Sequence, residues 1–156
     1  HHAAQCGNEV KIHMQDVHEI KMDGQDFVLN TGSPHYVTLN SDHAAETVVA
    51  LGKSIRYSEK YNQNGINVNL LSVEDDGIRV ATYERGVEGE TLSCGTGVTA
   101  CALVYAKNFP ESGRHVKVKT KGGHLEVFWE RSPHGFEQIY LVGPATFVYQ
   151  GKIERC

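Results

Sequence analysis

Residues 97–108 read GVTACALVYAKN, a stretch of small and apolar residues that would cover every side of a helix. A helix that is apolar on all sides belongs in the interior of a protein. Around this stretch, apolar and polar residues alternate with a period of two, which is typical of strands with one buried face. The sequence therefore predicts an α+β fold, in which a mainly antiparallel sheet wraps around one central buried helix.

The alternating runs cover residues 10–14, 66–70, 116–119 and 125–129. Turn residues follow or separate them: Asp76-Gly77, Gly122-Gly123 and, near the start, Gly7-Asn8 predict hairpins. A second helix is predicted over residues 42–53, where apolar residues recur at near-helical spacing. The polar residues just before it are available as caps, namely Asn40, Ser41 and Asp42.

Composition limits the class of protein. The chain has 156 residues, which favours a single domain over 1–156. Its net charge of −4 argues against nucleic acid as a partner, and no apolar run is long enough to span a membrane. Four cysteines without a paired framework and no signal peptide predict reduced thiols in the cytoplasm. The nine histidines have no ligand spacing, so no metal is expected.

The stretch most informative about chemistry is ERGVEGETLSCGTG at residues 84–97. Its four glycines let the backbone turn tightly and approach a ligand closely. Cys94 falls where the buried helix begins, and the free N–H groups there favour negative charge. One segment thus offers a thiolate and a seat for a carboxylate. The alternative is that Cys94 is a small core residue and the glycines only form turns.

Two further clusters are polar. Residues 30–37 read NTGSPHYV, which is either a ligand-binding segment or a turn between strands with a structural His35. Residues 65–69 read GINVN, and asparagine is disfavoured in strands. Asn67 and Asn69 are therefore either exposed to solvent or in contact with a ligand.

Together these three clusters resemble diaminopimelate epimerase over residues 10–154. The resemblance rests on ERG at 84–86, GET at 89–91 and CGTG at 94–97, with Gly32-x-Pro34-His35-x-Val37 and NVN at 67–69. The family fold that it implies has two pseudo-symmetric halves, each a sheet around a central helix, with the active site between them. The resemblance implies that this chain corresponds to the carboxy-terminal half and that the amino-terminal domain is absent from it.

The resemblance also implies the chemistry. The family inverts the Cα centre of diaminopimelate with two cysteines, without pyridoxal phosphate or any other cofactor. Cys94 would be one of these cysteines, and His35 and Glu84 would support the thiols or the substrate amine. The substrate contacts implied are Ser33, Asn67, Glu84, Arg85, Gly95 and Thr96, of which Arg85 suits a carboxylate because its guanidinium binds in a bidentate fashion.

The sequence departs from the family pattern in two places. Ser33 stands where the family often has asparagine, and residues 86–89 are one residue longer than usual, so the extra residue is expected to bulge outward. The second catalytic cysteine belongs to the missing half. Cys6-Gly7-Asn8 resembles its motif, but an alternating strand follows it, which favours a hairpin turn. Cys101 is expected in the core.

Two rival interpretations remain open. One is a related cofactor-independent racemase similar to proline racemase, and the other is a non-catalytic thiol or binding domain. The expected partners are a small-molecule substrate and the missing domain, and a homodimer is left open.

Overall fold

The computed structural model describes residues 2–153, which form one mixed sheet of eleven strands and two α-helices. The strands are β1 (Ala3–Cys6), β2 (Glu9–His13), β3 (Lys21–Asp23), β4 (Asp26–Asn30), β5 (Pro34–Leu39), β6 (Asn67–Glu74), β7 (Gly77–Glu84), β8 (Gly89–Glu90), β9 (His115–Thr120), β10 (Gly123–Ser132) and β11 (Gly135–Pro144). The helices are α1 (Ala45–Arg56) and α2 (Gly95–Asn108). The α+β class is as predicted.

The strand order is β1-β2-β11-β10-β9-β7-β6-β5-β4-β3, and β8 pairs with β7. Most neighbours are antiparallel, but β5 pairs with β6 and β7 pairs with β9 in parallel. The sequence did not predict these two parallel pairs. Parallel neighbours need a crossover connection, commonly a helix, and α1 and α2 are those crossovers.

The three predicted hairpins are confirmed. The Gly7-Asn8 pair joins β1 to β2, β6 turns into β7, and β9 turns into β10. Gly77 has φ 155°, and a Cβ atom at this position would overlap the carbonyl oxygen of Lys117 on β9. A glycine is therefore required where β7 starts beside β9.

Helix α2 is largely buried, as its composition predicts. Nine of its fourteen residues are buried, and it contacts strands β4, β5, β6, β7, β9, β10 and β11. It begins at Gly95, two residues earlier than the predicted start, because Cys94 takes the extended backbone of an N-cap. Cys101 is wholly buried in the main core cluster, as expected.

Helix α1 packs on the other face of the sheet, against β6 and β7. It runs from Ala45 to Arg56, so the predicted range of 42–53 began and ended three residues too early. The N-cap is Ala44, which lacks a capping side chain, and Asp42 instead accepts the Ala44 N–H at 3.0 Å and the Thr47 hydroxyl at 2.6 Å. Neither described helix is long and apolar enough to cross a membrane.

Candidate active site

A buried polar cluster lies where α2 begins, and four elements contribute to it. The parallel register of β5 and β6 sets His35 beside Asn67 and Val37 beside Asn69. Alternation turns these side chains toward α2, while their neighbours Tyr36 and Val68 pack in the α1 core. The cluster consists of Ser33, His35, Asn67, Asn69, Thr82, Cys94 and Thr96.

Cys94 is the N-cap of α2 and is only 8% exposed. Its carbonyl accepts the first helical hydrogen bond, from Val98 N at 2.8 Å. The amides of the first helical turn have no partner within the helix, so partial positive charge surrounds the sulfur. The Cys94 Sγ atom lies 3.5 Å from the Thr96 hydroxyl. The predicted placement of Cys94 at a helix N-terminus is therefore confirmed.

His35 is wholly buried at the start of β5. Its Nε2 atom lies 2.9 Å from both Ser33 Oγ and Thr96 Oγ1, and its Nδ1 atom lies 3.1 Å from Asn69 Nδ2. Burial lowers the pKa of His35 to about 4, and the positive charge of Arg85 acts in the same direction. The ring is therefore neutral at pH 7 and carries a single ring proton.

Asn67 links the strands to the loop that precedes the thiol. Its Oδ1 atom accepts the Arg85 backbone N–H at 2.9 Å, and its Nδ2 atom donates to Ser33 Oγ and Pro34 O, both at 3.1 Å. Asn67 is 4% exposed and Asn69 is not exposed at all, so of the two alternatives solvent exposure is wrong. Both amides are held by protein partners, which leaves direct ligand contact untested.

Glu84 and Arg85 lie at the rim of the cluster. Glu84 ends β7 and, by alternation, lies on the same face as Thr82. The Arg85 side chain is exposed, and its Nη1 atom donates to the Asn64 carbonyl at 2.7 Å. Arg85 thus reaches the cluster through its backbone N–H to Asn67 rather than through its guanidinium.

In the longer turn after Glu84, the side chains of Val87 and Glu88 point in opposite directions. Val87 is 60% exposed, as predicted for an outward bulge. Glu88 instead takes a left-handed backbone with φ 58° and turns inward, which corrects the prediction. It accepts the Tyr83 hydroxyl at 3.0 Å and Gly86 N–H at 3.2 Å, and lies 3.5 Å from Arg56 Nε. These contacts hold the loop against the end of α1.

The sequence missed two buried threonines. Thr82 donates to Asn69 Oδ1 at 2.9 Å, and Thr31 donates to the Thr96 carbonyl at 2.8 Å. Thr82 stands inside the apolar run VATY of β7, and a lone hydroxyl there is the only signal that the sequence offers. Nothing in the spacing indicates which residue it bonds.

Of the other cysteines, only Cys101 has a described side chain, and it lies in the main core cluster. Cys6 ends β1 before the hairpin, and its side chain is outside the described part of the structure. The whole of Cys156 is outside it as well. Among residues 2–153 no three His, Cys, Asp or Glu side chains come together in a way that could hold a metal ion. A cavity of about 360 Å³ lies elsewhere, between β7, β9 and β10, and is lined by residues such as Asp76, Lys117 and His124.

The fold and the cluster place the chain among α+β proteins that carry a buried cysteine at a helix N-terminus within a hydrogen-bonded polar site. The chain belongs to the diaminopimelate epimerase family, whose model matches residues 27–148. The resemblance inferred from the sequence motifs is thereby confirmed.

Curated relatives extend beyond this chain. The diaminopimelate epimerase of Flavobacterium psychrophilum is 37% identical over 155 residues, which cover 98% of this chain and 60% of that protein. The diaminopimelate epimerase of Aquifex aeolicus is 36% identical, and the match covers 94% of this chain and 55% of that protein. That of Archaeoglobus fulgidus is 42% identical over 86% of this chain and 46% of its own length. The chain spans about half the length of these relatives.

Solved structures share the fold. A hydroxyproline epimerase from Agrobacterium vitis superposes with a TM-score of 0.61 at 18% identity, over 95% of this chain and 55% of that one. A phenazine biosynthesis protein of the PhzF family from Enterococcus faecalis gives 0.50 at 16% identity, over 77% of this chain and 40% of that one. At these identities the likeness concerns the fold alone.

Proposed function

We propose that this chain is the carboxy-terminal half of a diaminopimelate epimerase and supplies Cys94 as one of its two catalytic thiols. The observation that carries the proposal is the position of the Cys94 sulfur. It lies at the N-terminus of α2 and contacts the hydroxyl of Thr96, a member of the polar cluster. The match to the family over residues 27–148 supports the choice of substrate.

The domain proposal follows from the same match. We infer that residues 1–156 belong to a single domain and that this domain is one of two similar halves of the parent enzyme. The half that precedes it in the relatives would form the other wall of the cleft and bring the second thiol. A homodimer and a cytoplasmic location stay predictions.

The reaction needs one base and one acid on opposite faces of Cα. The Cys94 thiolate takes the proton from Cα onto its sulfur, and the second thiol, from the missing half, donates its own proton to the other face. The transient negative charge spreads into the substrate carboxylate, which the first amides of α2 stabilise. No cofactor is needed for this proton balance.

The proposed substrate contacts surround the thiol. The backbone N–H groups of Gly95 and Thr96 hold the reacting carboxylate, since they point out of the first turn of a long helix. The hydroxyl of Ser33 and the amide of Asn67 extend this polar rim. Glu84 binds a substrate ammonium group, and Arg85, whose side chain is exposed, binds a carboxylate. His35 supports the thiol from the interior rather than by contact with substrate.

The rival function, a proline racemase-like activity, has weaker support. The hydroxyproline epimerase shares the fold at 18% identity, whereas the diaminopimelate epimerases are 36–42% identical. A non-catalytic binding domain would not require a thiol at the helix N-terminus.

The test joins this chain to the first half of one of the curated relatives, either as a fusion or as two chains. Conversion of the LL to the meso isomer is measured, with L-proline as the alternative substrate. We expect turnover of diaminopimelate only. Cys94→Ser should abolish it, whereas the matched variant Cys101→Ser, on the same helix but wholly buried, should retain it. Turnover of proline, or full activity in Cys94→Ser, would overturn the proposal.

A further inference from the structure

A string of hydrogen bonds runs from the interior of the sheet to the sulfur of Cys94. Thr82 Oγ1 donates to Asn69 Oδ1 at 2.9 Å, and Asn69 Nδ2 lies 3.1 Å from His35 Nδ1. On the other side of the ring, His35 Nε2 lies 2.9 Å from Thr96 Oγ1, which lies 3.5 Å from Cys94 Sγ. The three innermost residues, Thr82, Asn69 and His35, are almost completely buried, so no solvent competes for the bonds among them.

The orientation of the Asn69 amide is determined at both ends. Its oxygen can only accept, and it receives the Thr82 hydroxyl. Its nitrogen can only donate, and it gives one N–H to the Tyr36 carbonyl at 2.8 Å. If the amide were turned over, its oxygen would face the Tyr36 carbonyl oxygen, and two acceptors would meet in a buried site. The second N–H of Asn69 therefore points at His35 Nδ1.

This orientation sets the direction of the remaining bonds. Nδ1 of His35 accepts from Asn69, so the single proton of the neutral ring is on Nε2. The low pKa of His35, about 4, keeps the ring in this neutral form at pH 7. The Nε2–H group lies 2.9 Å from both Ser33 Oγ and Thr96 Oγ1. Ser33 Oγ also accepts from Asn67 Nδ2 at 3.1 Å, so its own proton points at Thr96 Oγ1, 3.2 Å away. The hydroxyl proton of Thr96 then points at the sulfur.

We propose that Asn69 is a positioning residue that acts through His35 and Thr96 and makes the Thr96 hydroxyl donate to the sulfur of Cys94. A hydrogen bond to sulfur favours the thiolate, which is the form that accepts a proton. Asn69 thereby holds Cys94 as the base. The catalytic meaning of this role rests on the proposed function, whereas the order of the bonds is a property of this chain alone.

The charged and titratable groups around the string stay constant in the test. They are Arg85, which acts on His35, Cys101, which interacts with Cys94, and Glu84 at the end of β7. None of the variants below removes these groups, but Asn69→Asp adds a negative charge beside them. Asn69→Ala adds none, so its effect on thiol reactivity reports on the string alone.

The first measurement is the tautomer of His35 by ¹⁵N NMR of the imidazole ring in this chain. We expect the proton on Nε2. In Asn69→Asp, a carboxylate that can only accept faces Nδ1, and the proton should move to Nδ1. A wild-type ring that carries its proton on Nδ1 would overturn the proposal.

The second measurement is the rate of Cys94 alkylation by iodoacetamide as a function of pH. At pH 7 we expect the rate to fall roughly tenfold in Thr96→Val and in Asn69→Asp, the size of effect when one hydrogen bond to a charged group is lost. In Asn69→Ala, which frees the His35 ring without adding charge, the alkylation rate should fall by a smaller factor. Asn69→Ala also replaces Asn69→Asp if that variant does not fold.

Two controls separate this role from a structural one. Thr96→Ser keeps the hydroxyl and should react as the wild type does. Thr99→Val removes another buried hydroxyl of α2, which donates to the Gly95 carbonyl at 2.9 Å, and should have no effect. If both Asn69 variants react at the wild-type rate while Thr96→Val is slow, Asn69 has no positioning role. Neither measurement uses turnover, so an inactive fusion with the expected bond order would count against the proposed function alone.

Discussion

Two thiols seven positions apart on one helix have opposite surroundings. Cys94 caps the N-terminus of α2 beside a hydroxyl, and Cys101 lies in the apolar core with no exposed surface. Burial raises the pKa of the Cys101 thiol well above its usual value, and the nearby Cys94 raises it further. Reactivity at the residue scale is therefore decided by position along the helix rather than by residue type.

We expect Cys94 to be alkylated at least about tenfold faster than Cys101 at pH 7.5, since burial keeps the Cys101 thiol protonated and out of reach of the reagent. Limited alkylation followed by peptide mass spectrometry measures both rates in one sample. Cys94→Ser removes the smaller contribution to the raised pKa of Cys101, but burial remains, so Cys101 should still be labelled slowly. Faster labelling of Cys101 would contradict the assignment of the two environments.

His35 should make the stability of the chain depend on pH. Its pKa is about 4 in the folded chain and 6.5 in the unfolded chain, so below pH 6.5 the unfolded state binds more protons. Stability is then fully present above pH 6.5 and is lost as the pH falls toward 4. The loss is about 3 kcal/mol at most. Urea unfolding at a series of pH values checks this.

The control for that experiment is His35→Gln, which keeps hydrogen-bonding capacity but cannot titrate. The variant is expected to be less stable at pH 7 and to lose less stability between pH 6.5 and pH 4. An identical slope in wild type and variant would mean that other groups cause the pH dependence.

At the scale of elements, α2 and β6 approach each other closely beside the site. A Cβ atom on Gly97 would overlap the Asn69 side-chain oxygen and would come within 3.1 Å of Thr82 Oγ1. Glycine in a helix interior costs about 1 kcal/mol relative to alanine. The glycine at this position is therefore explained by packing against the buried polar string.

Gly97→Ala should destabilise the chain by about 1–3 kcal/mol, because overpacking outweighs the gain in helix propensity. Gly89→Ala is the matched control, since a Cβ atom there meets nothing within 4 Å. Thermal unfolding of the two variants compares them directly. A Gly97→Ala chain as stable as wild type would mean that Asn69 can move away from α2 at little cost.

At the scale of the whole molecule, the described structure offers a thiol on one face only. Cys101 follows Cys94 by seven residues, roughly 10 Å along the helix axis, and is wholly buried. Apolar side chains near the site are exposed: Val87 is 60% exposed and Leu92 is 66% exposed. A second wall over this face would cover them and exclude water from the thiol.

This chain alone should therefore not epimerise diaminopimelate at an enzyme-like rate. Incubation of the LL isomer in heavy water, with detection of the meso isomer and of deuterium at Cα, is the measurement. The fusion described above is the positive control. Meso product from the isolated chain would refute the half-enzyme proposal and direct attention to Cys6, for example across a homodimer.

The sequence by itself determined the buried helix, the three hairpins and the position of Cys94 at a helix N-terminus. These features depend on local patterns: apolar residues on every side of 97–108, turn residues between alternating runs, and glycines before the helix. The tertiary structure alone decided the two parallel strand pairs, the inward turn of Glu88 and the burial of Asn67 and Asn69. It also decided which nitrogen of His35 faces Thr96. The partners of His35, Asn67 and Asn69 come from strands and a helix that are far apart in the sequence. Residue spacing does not encode the relative orientation of such elements.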